Sequence, residues 1–360
     1  MTAVGGSDRS VTDASRHALV GTTRMFREAA QAPLAVRAQL RLNDAAIRSL
    51  VGRLRSTPPR AVVTLARGSS DHAATLARYL IETRLEILTA SAAPSVSSVY
   101  DAAPAMADTL VLVISQSGRS PDLIAAAKAA ASGGALVVAM VNDADSPLAA
   151  AADVVIPLHA GPEVSVAATK SFIAALAAIV HLVAHWTADS VLLTALDDLP
   201  GLLGRAWTLD WGACLPVLLA VQNLYVVGRG PGFAIAQEAA LKFKETSGLH
   251  AEAFSTAEVR HGPMTLVGAG FPVLAFAQDD ETLPGVESTV DAFAAQGARV
   301  LMAGGRRRAR IRALPVIAAH PVLQPITQAQ SFYRMVEALA VARGFDPDHP
   351  PHLAKITQTL

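Results

Sequence analysis

Between Gln237 and Pro263 the chain gathers most of the side chains that could move a proton. Glu238, Lys242 and Glu245 are spaced i, i+4 and i+7, so a helix would carry all three on one face. The run around them, AIAQEAALKFKE, holds good helix formers and neither Gly nor Pro, and Gly248 is the expected stop. Beyond it come His250, Glu252, Glu258 and His261, the last followed by Gly262-Pro263. Two chemistries fit. One is a salt-bridged solvent face at about 0.3–0.5 kcal/mol per pair. The other is a proton-transfer site, where Glu and His are the usual general bases. No metal is expected, because His250-x-Glu252 with His261 matches no zinc spacing.

The elements that must position these residues follow from the hydrophobic pattern. Residues 1–16 are polar and small, the composition of a disordered tail. From His17 to Arg55 the apolar spacing is helical with a break at Pro33. Four buried strands are predicted in AVVTLA, TLVLVIS, ALVVAMVN and ADVVIPLH, the first two each running into a turn and helix, and a long helix over Ser165–Trp186 closes the unit. Strands alternating with helices imply a parallel α/β sheet covered on both faces. The pattern then recurs. Arg67-Gly68 is matched by Arg229-Gly230, Gln116 by Gln278, Val138 and Met140 by Val300 and Met302, and Val154-Val155 by Val316-Ile317, each 162 positions apart. The fold expected is therefore α/β, two tandem doubly wound, flavodoxin-like sheets from an internal duplication. The predicted division is a tail and helix over 1–44, a first domain over 45–200, a second over 201–345 and a C-terminal tail over 346–360.

Composition narrows the function. The chain is 52% hydrophobic and 17% charged with zero formal net charge, ample for a large core over 360 residues. That balance makes no electrostatic case for nucleic acid or an anionic membrane, and the basic run Arg306–Arg310 is expected to be a solvated loop. One cysteine, Cys214, leaves no internal disulfide or CxxC motif, consistent with a reducing cytoplasm. No signal peptide is expected from residues 1–16, and the apolar run Phe172–Val180 is too short to span a bilayer.

The copies differ where ligands bind such sheets, at the carboxyl ends of the strands. Copy one carries Gly68-Ser69-Ser70 after its first strand and Ser115-Gln116-Ser117-Gly118-Arg119-Ser120 after its second. Hydroxyls and N–H groups at helix N-termini suit an anion, here a phosphate. Copy two has Gln278-Asp279-Asp280 in the matching turn, which would repel one. Conversely Lys242 and Glu245 have only Leu80 and Thr83 as mates. Neither serine turn is a Walker loop, and Pro231 spoils the approach of Gly228–Gly232 to GxGxxG, so no dinucleotide is expected.

The motifs RGSSDHA, SQSGRSPD, EVSVAATKSF, EAALKFKETSGLHAEAFSTAEVRHGP and DPDHPPHLAKITQTL together resemble the sugar isomerase (SIS) family. The similarity extends to the isomerase half of glucosamine-6-phosphate synthase and to stand-alone glucosamine-6-phosphate deaminases. The resemblance implies a phosphate and sugar site formed by Ser69, Ser70, Ser115, Gln116, Ser117, Ser120, Val166 and Ala168. Ala167-Ala168 stands where the synthase pattern places a serine before Thr-Lys, so contacts there are expected to differ. The resemblance also implies Glu245 as the C1–C2 proton carrier with Lys242 beside it. His261 would open the sugar ring from a partner subunit, and Lys355 would engage the open-chain sugar. The tail bearing Lys355 is expected to close as a lid over bound sugar. No cofactor is implied, and the active unit would be a cytoplasmic homodimer. With no glutaminase domain in the chain, release of ammonia from glucosamine 6-phosphate is the expected direction. The competing readings are action on galactosamine 6-phosphate or fructosamine 6-phosphate, and a non-catalytic sugar-phosphate sensor.

Overall fold

The computed structural model describes residues 20–355; the predicted tail over 1–16 and residues 356–360 lie outside it. Two five-stranded sheets form, every pairing parallel. Their strands are β1 (Ala61–Leu65), β2 (Thr89–Ser91), β3 (Thr109–Ser115), β4 (Leu136–Val141) and β5 (Val154–Pro157), then β6 (Asn223–Gly228), β7 (His250–Ser255), β8 (Pro272–Phe276), β9 (Arg299–Ala303) and β10 (Ile311–Leu314). The orders, β2-β1-β3-β4-β5 and β10-β9-β8-β6-β7, are one doubly wound topology used twice. Central strands such as TLVLVIS are apolar on both faces because helices cover both.

The principal helices are α1 (Arg24–Ala30), α2 (Ala32–Ser56), α3 (Ser69–Leu85), α4 (Pro121–Ser132), α5 (Lys170–Thr187), α6 (Ser190–Trp207), α7 (Pro231–Ser247), α8 (Leu283–Ala295) and α9 (Gln324–Ala342). The duplication is visible residue by residue. Helix α7 starts and ends 162 positions after α3, and β2 and β7 pair with their neighbours at the same offset. The glycines before the two helices share a backbone conformation, Gly68 at φ 55°, ψ −132° and Gly230 at φ 57°, ψ −137°. A side chain there would strain the turn.

Several expectations need correction. Each sheet has a fifth strand: β2 was not predicted, being three residues long with two of them exposed. The match of Val154-Val155 to Val316-Ile317 does not hold, since β10 ends at Leu314 and pairs Ile311 with Val300. The strand join of copy one, which includes a short helical turn over Pro147–Ala150, is shortened in copy two. The first helices break at Gln31, which ends α1 and precedes α2, with Pro33 taken into the first turn of α2. Helix α5 begins at Lys170 rather than Ser165, and the basic run is not wholly solvated, since Arg308 pairs with Glu287 and Asp291.

Every residue of α5 from Lys170 to Trp186 is buried. By length and composition it is the one helix among the described residues apolar enough to cross a membrane, yet it is the core about which both halves pack. Helix α7 lies at the seam, packed against α3 of the first half and α9 of the second. The seam thus places the helix that carries Glu238, Lys242 and Glu245 against the serine turns of the other half.

Candidate active site

The face of α7 that carries the charged trio does not meet solvent. Glu238 and Lys242 are buried outright, so the solvent salt-bridge reading fails for them. Lys242 Nζ is paired with Glu245 Oε2 and lies 3.5 Å from Glu238 Oε1. Glu238 also accepts from Ser69 Oγ (3.1 Å) and Tyr333 OH (3.0 Å), and meets His72 Nδ1 at 3.0 Å. Both halves therefore contribute to one buried polar network in which each charge has partners, as such burial requires. Burial opposes the charge of Lys242, but Glu238 and Glu245 outweigh it and raise its pKa. Burial, then Glu238, pushes the Tyr333 hydroxyl well above its usual range, so it remains a donor.

Glu245, at the solvent end of that network, opens into a cavity of about 220 Å³. The floor is the crevice between the carboxyl ends of β1 and β3, where the chain leaves the sheet in opposite directions. Arg67, Gly68, Ser69 and Ser70 line it from one turn, and Ser115, Gln116, Ser117 and Ser120 from the other. Ser115 Oγ and Ser117 Oγ accept from the N–H groups of Gly118 (3.0 Å) and Arg119 (3.3 Å), which leaves their hydroxyl hydrogens to donate elsewhere. Ser120 occupies the N-cap of α4 without making a side-chain cap bond. Gly118 has φ 62°, and a Cβ there would fall 2.1 Å from Ser146 Oγ, so this tight turn demands glycine.

Val166 and Ala168 form a third wall, on a loop fastened from both sides. Glu28 of α1 accepts from the N–H of Val164 (2.6 Å) and Ser165 (3.1 Å). Buried Glu163 accepts from the N–H of Thr169 (3.0 Å) and Ser171 (3.1 Å) and from Ser171 Oγ (2.6 Å). Lys355 completes the enclosure, with Nζ 3.2 Å from Glu163 Oε2 and 2.8 Å from the Ser165 carbonyl. The tail is thus seated at the pocket rather than standing off it as an open lid. Asp348 pins its base by accepting from the N–H groups of Arg24 (2.7 Å) and Met25 (2.8 Å) at the start of α1.

Other expected residues lie elsewhere. His250, Glu252, Glu258 and His261 are exposed, and none lines this cavity. His261 sits on a short turn after Glu258–Arg260. In copy two the matching crevice is tied across by Gln278, whose Nε2 donates to the Arg229 carbonyl, Asp280 and Thr282. Three contributors had not been assigned roles from sequence: Arg67, paired with buried Asp122 at 2.8 Å, and the loop-fasteners Glu163 and Glu28. Arg67 and Glu163 stand in the RGSSDHA and EVSVAATKSF motifs, a signal that could have marked them.

Acid should loosen this arrangement. Burial would raise the Glu163 pKa, but Lys355, Ser171 and the Thr169 N–H outweigh it and hold the carboxyl below its usual value of 4.5. Glu238 is held down likewise, with Lys242, His72 and Ser69 outweighing burial. A depressed carboxyl pKa contributes stability in full above the unfolded value and loses it as pH falls through the folded one. The urea midpoint should therefore drop as pH falls below about 4.5, and less steeply in Glu163→Gln. Equal slopes in both proteins would remove Glu163 from the effect.

The SIS domain profile matches residues 57–185 and 218–303, more than half of the chain. The chain belongs to the SIS domain family. The SIS chain is 33% identical over 314 residues to the glutamine–fructose-6-phosphate aminotransferase (isomerizing) of Aeropyrum pernix, covering 82% of itself and 50% of that protein. With the enzyme of the same name from Thermococcus kodakarensis it shares 32% over 351 residues, 92% of itself and 57% of the relative. It thus spans about half the length of the curated relatives it matches. Among solved structures, a protein of Silicibacter pomeroyi assigned as a phosphosugar isomerase superposes with a TM-score of 0.87 at 44% identity, covering 91% of this chain and all of that one. The glucosamine-6-phosphate deaminase of Thermotoga maritima shares the fold, with a TM-score of 0.72 at 21% identity over 94% and 100% of the two chains.

Proposed function

We propose that this SIS protein is an amino-sugar-phosphate isomerase and deaminase that converts glucosamine 6-phosphate and water to fructose 6-phosphate and ammonia. The observation that carries the reading is one cavity holding phosphate-type hydroxyls, the Glu245 carboxylate and the Lys355 amine together. Ser115, Ser117 and Ser120 take the phosphate at the α4 N-terminus, which leaves the sugar carbons toward Glu245 and Lys355. Glu245 removes the proton from C2 of the open-chain aminoaldose and returns it to C1. The C1 oxygen gains the proton that the amino nitrogen loses, so the aldehyde becomes a hydroxymethyl group and C2 becomes an imine. Water then adds at C2, and the C–N bond breaks to release ammonia. Lys242, paired with Glu245, fixes the position of the carboxylate through the transfer.

Purified protein supplied with glucosamine 6-phosphate should yield ammonia and ketose phosphate in equal amounts, and little of either from unphosphorylated glucosamine. Equal turnover of the two would remove the phosphate role of the serine turns. Ammonia from fructosamine 6-phosphate alone would move the activity to deglycation, in which the proton passes from C1 to C2 and water cleaves the resulting C1 imine to leave an aldose phosphate.

His261 enters as a contribution from a second copy of the chain, because its exposed turn stands away from its own cavity. Mixed dimers of His261→Ala and Glu245→Gln subunits should then regain activity that neither variant has, through the one site that combines both intact residues. Failure to recover, with subunit exchange demonstrated by mass, would rule out a shared site.

A further inference from the structure

The inner face of α5 carries two histidines that the sugar site does not use. His181 and His185 lie one turn apart and so share a face, directed at Asp44 on α2. Asp44 Oδ1 is 3.4 Å from His185 Nε2 and 3.8 Å from His181 Nε2, and one ligand atom from each of the three lies within 4.8 Å of the others. The second carboxylate oxygen accepts from Arg48 Nε at 2.8 Å. His181 is only 5% exposed, yet neither of its ring nitrogens makes a hydrogen bond among the described residues, and Nδ1 is fully buried without a partner. Buried polar atoms rarely go unsatisfied. A neutral imidazole offers the lone pair of such a nitrogen to a cation. The group borders a cavity of about 760 Å³.

We propose that Asp44, His181 and His185 form a binding site for a first-row divalent cation of the zinc type. Two imidazole nitrogens and one carboxylate oxygen are a donor set for such ions, whereas calcium and magnesium prefer all-oxygen shells. Bonds of about 2.0–2.1 Å to a tetrahedral ion place ligand atoms roughly 3.3 Å apart. The 3.4 Å pair already meets this, and the 3.8 Å pair needs a closure of a few tenths of an ångström. Paired histidines at i, i+4 present their rings to one ion, as in helical zinc motifs. Arg48 orients the carboxylate from outside, the role such partners play around metal centres. A tetrahedral ion held by three protein ligands would keep a fourth position for water from the cavity that these residues line.

The same cavity is lined by Arg37, Arg41 and Arg48, which could suggest an anion instead. Asp44, Asp197 and Asp198 line it as well, so the arginines leave no net positive field for one. The three ligands also lie far from the sugar. His181 and His185 are about 17 and 22 Å along α5 from Lys170, at the rise of an α-helix. The ion would clip α2 to the core helix rather than take part in the sugar chemistry.

The test uses tag-free protein stripped with a chelator and titrated with Co²⁺, then with Zn²⁺. One Co²⁺ per chain with intense tetrahedral d–d absorption, displaced by Zn²⁺, is expected, along with a rise in melting temperature. Both signals should vanish in Asp44→Asn and in His185→Gln, with the circular dichroism spectrum of each variant intact. The Asp44 side chain is 43% exposed, so that variant should fold whatever the outcome at His185. Arg48→Gln should weaken binding about 10–100-fold. Absence of stoichiometric Co²⁺ binding to stripped wild-type protein would overturn the proposal, and so would binding that survives both ligand variants. Stabilisation by inorganic phosphate, lost in Arg37→Gln and unaccompanied by Co²⁺ binding, would overturn it in favour of an anion site.

Discussion

Glu245→Gln is expected to abolish the exchange of the substrate C2 proton with deuterated solvent while leaving sugar-phosphate binding intact. The expectation follows from where the carboxylate stands. Glu245 is the one carboxylate of the α7 trio that opens into the serine-lined cavity; Glu238 is held by Ser69, His72 and Tyr333 behind it. Among the described residues lining that cavity, Glu245 is the sole Asp or Glu, so no second side chain of its kind could take over the transfer. Removal of a general base costs about 10²–10⁴-fold in rate. Gln keeps the size and most of the packing, so binding of the phosphate by the turns after β1 and β3 should persist in a direct titration. Exchange at the wild-type rate in Glu245→Gln would place the base elsewhere and leave the trio a structural ion network. A loss of binding together with exchange would point to a collapsed pocket instead, which the companion change Glu245→Asp should then also show.

How much of this was legible in the sequence depends on range. Helix α7 and its stop at Gly248, which takes φ 56° and leaves no room for a Cβ beside Phe345, were set by local pattern. So were the longer strands and the repeat of β1, β3 and β4, because alternation and helix period are properties of short windows. Strand β2 was not, since three residues carry no period. The β10 match failed because a shortened connection breaks any fixed offset, a change that pattern matching cannot see from one side. Burial of Glu238 and Lys242 was equally hidden: the charged face looks like solvent until Ser69, His72 and Tyr333 arrive from positions 95 to 169 residues away. Glu163 and Glu28 act on a loop rather than on an element, and the Glu28 bonds span 136 and 137 positions. His181 and His185 were masked by the apolar helix that carries them, where a lone histidine reads as core.

The tail offers the second large effect. Lys355→Met, and removal of residues 352–360, should each lower turnover by at least ~10²-fold, the scale of losing a group that orients the reacting atoms. Neither change should unfold the α/β halves, because Leu353, Ala354 and Lys355 are not part of the buried core. The anchor at Asp348, which holds the start of α1, lies before the truncation and is retained. Lys355 now spends its donors on Glu163 and the Ser165 carbonyl. A sugar carbonyl entering the cavity would have to replace one of these contacts, and Glu163 would then set where the freed amine points. Glu163→Gln should accordingly lower kcat more than it raises KM and leave the amine reachable. Borohydride reduction in the presence of fructose 6-phosphate should add the mass of the reduced sugar adduct to wild-type protein and to Glu163→Gln, and not to Lys355→Met. Undiminished turnover in Lys355→Met would remove the amine from the reaction and reduce the tail to a cover. Trapping that persists without Lys355 would assign the adduct to another lysine, with Lys242, buried behind Glu245, the next one in the cavity wall.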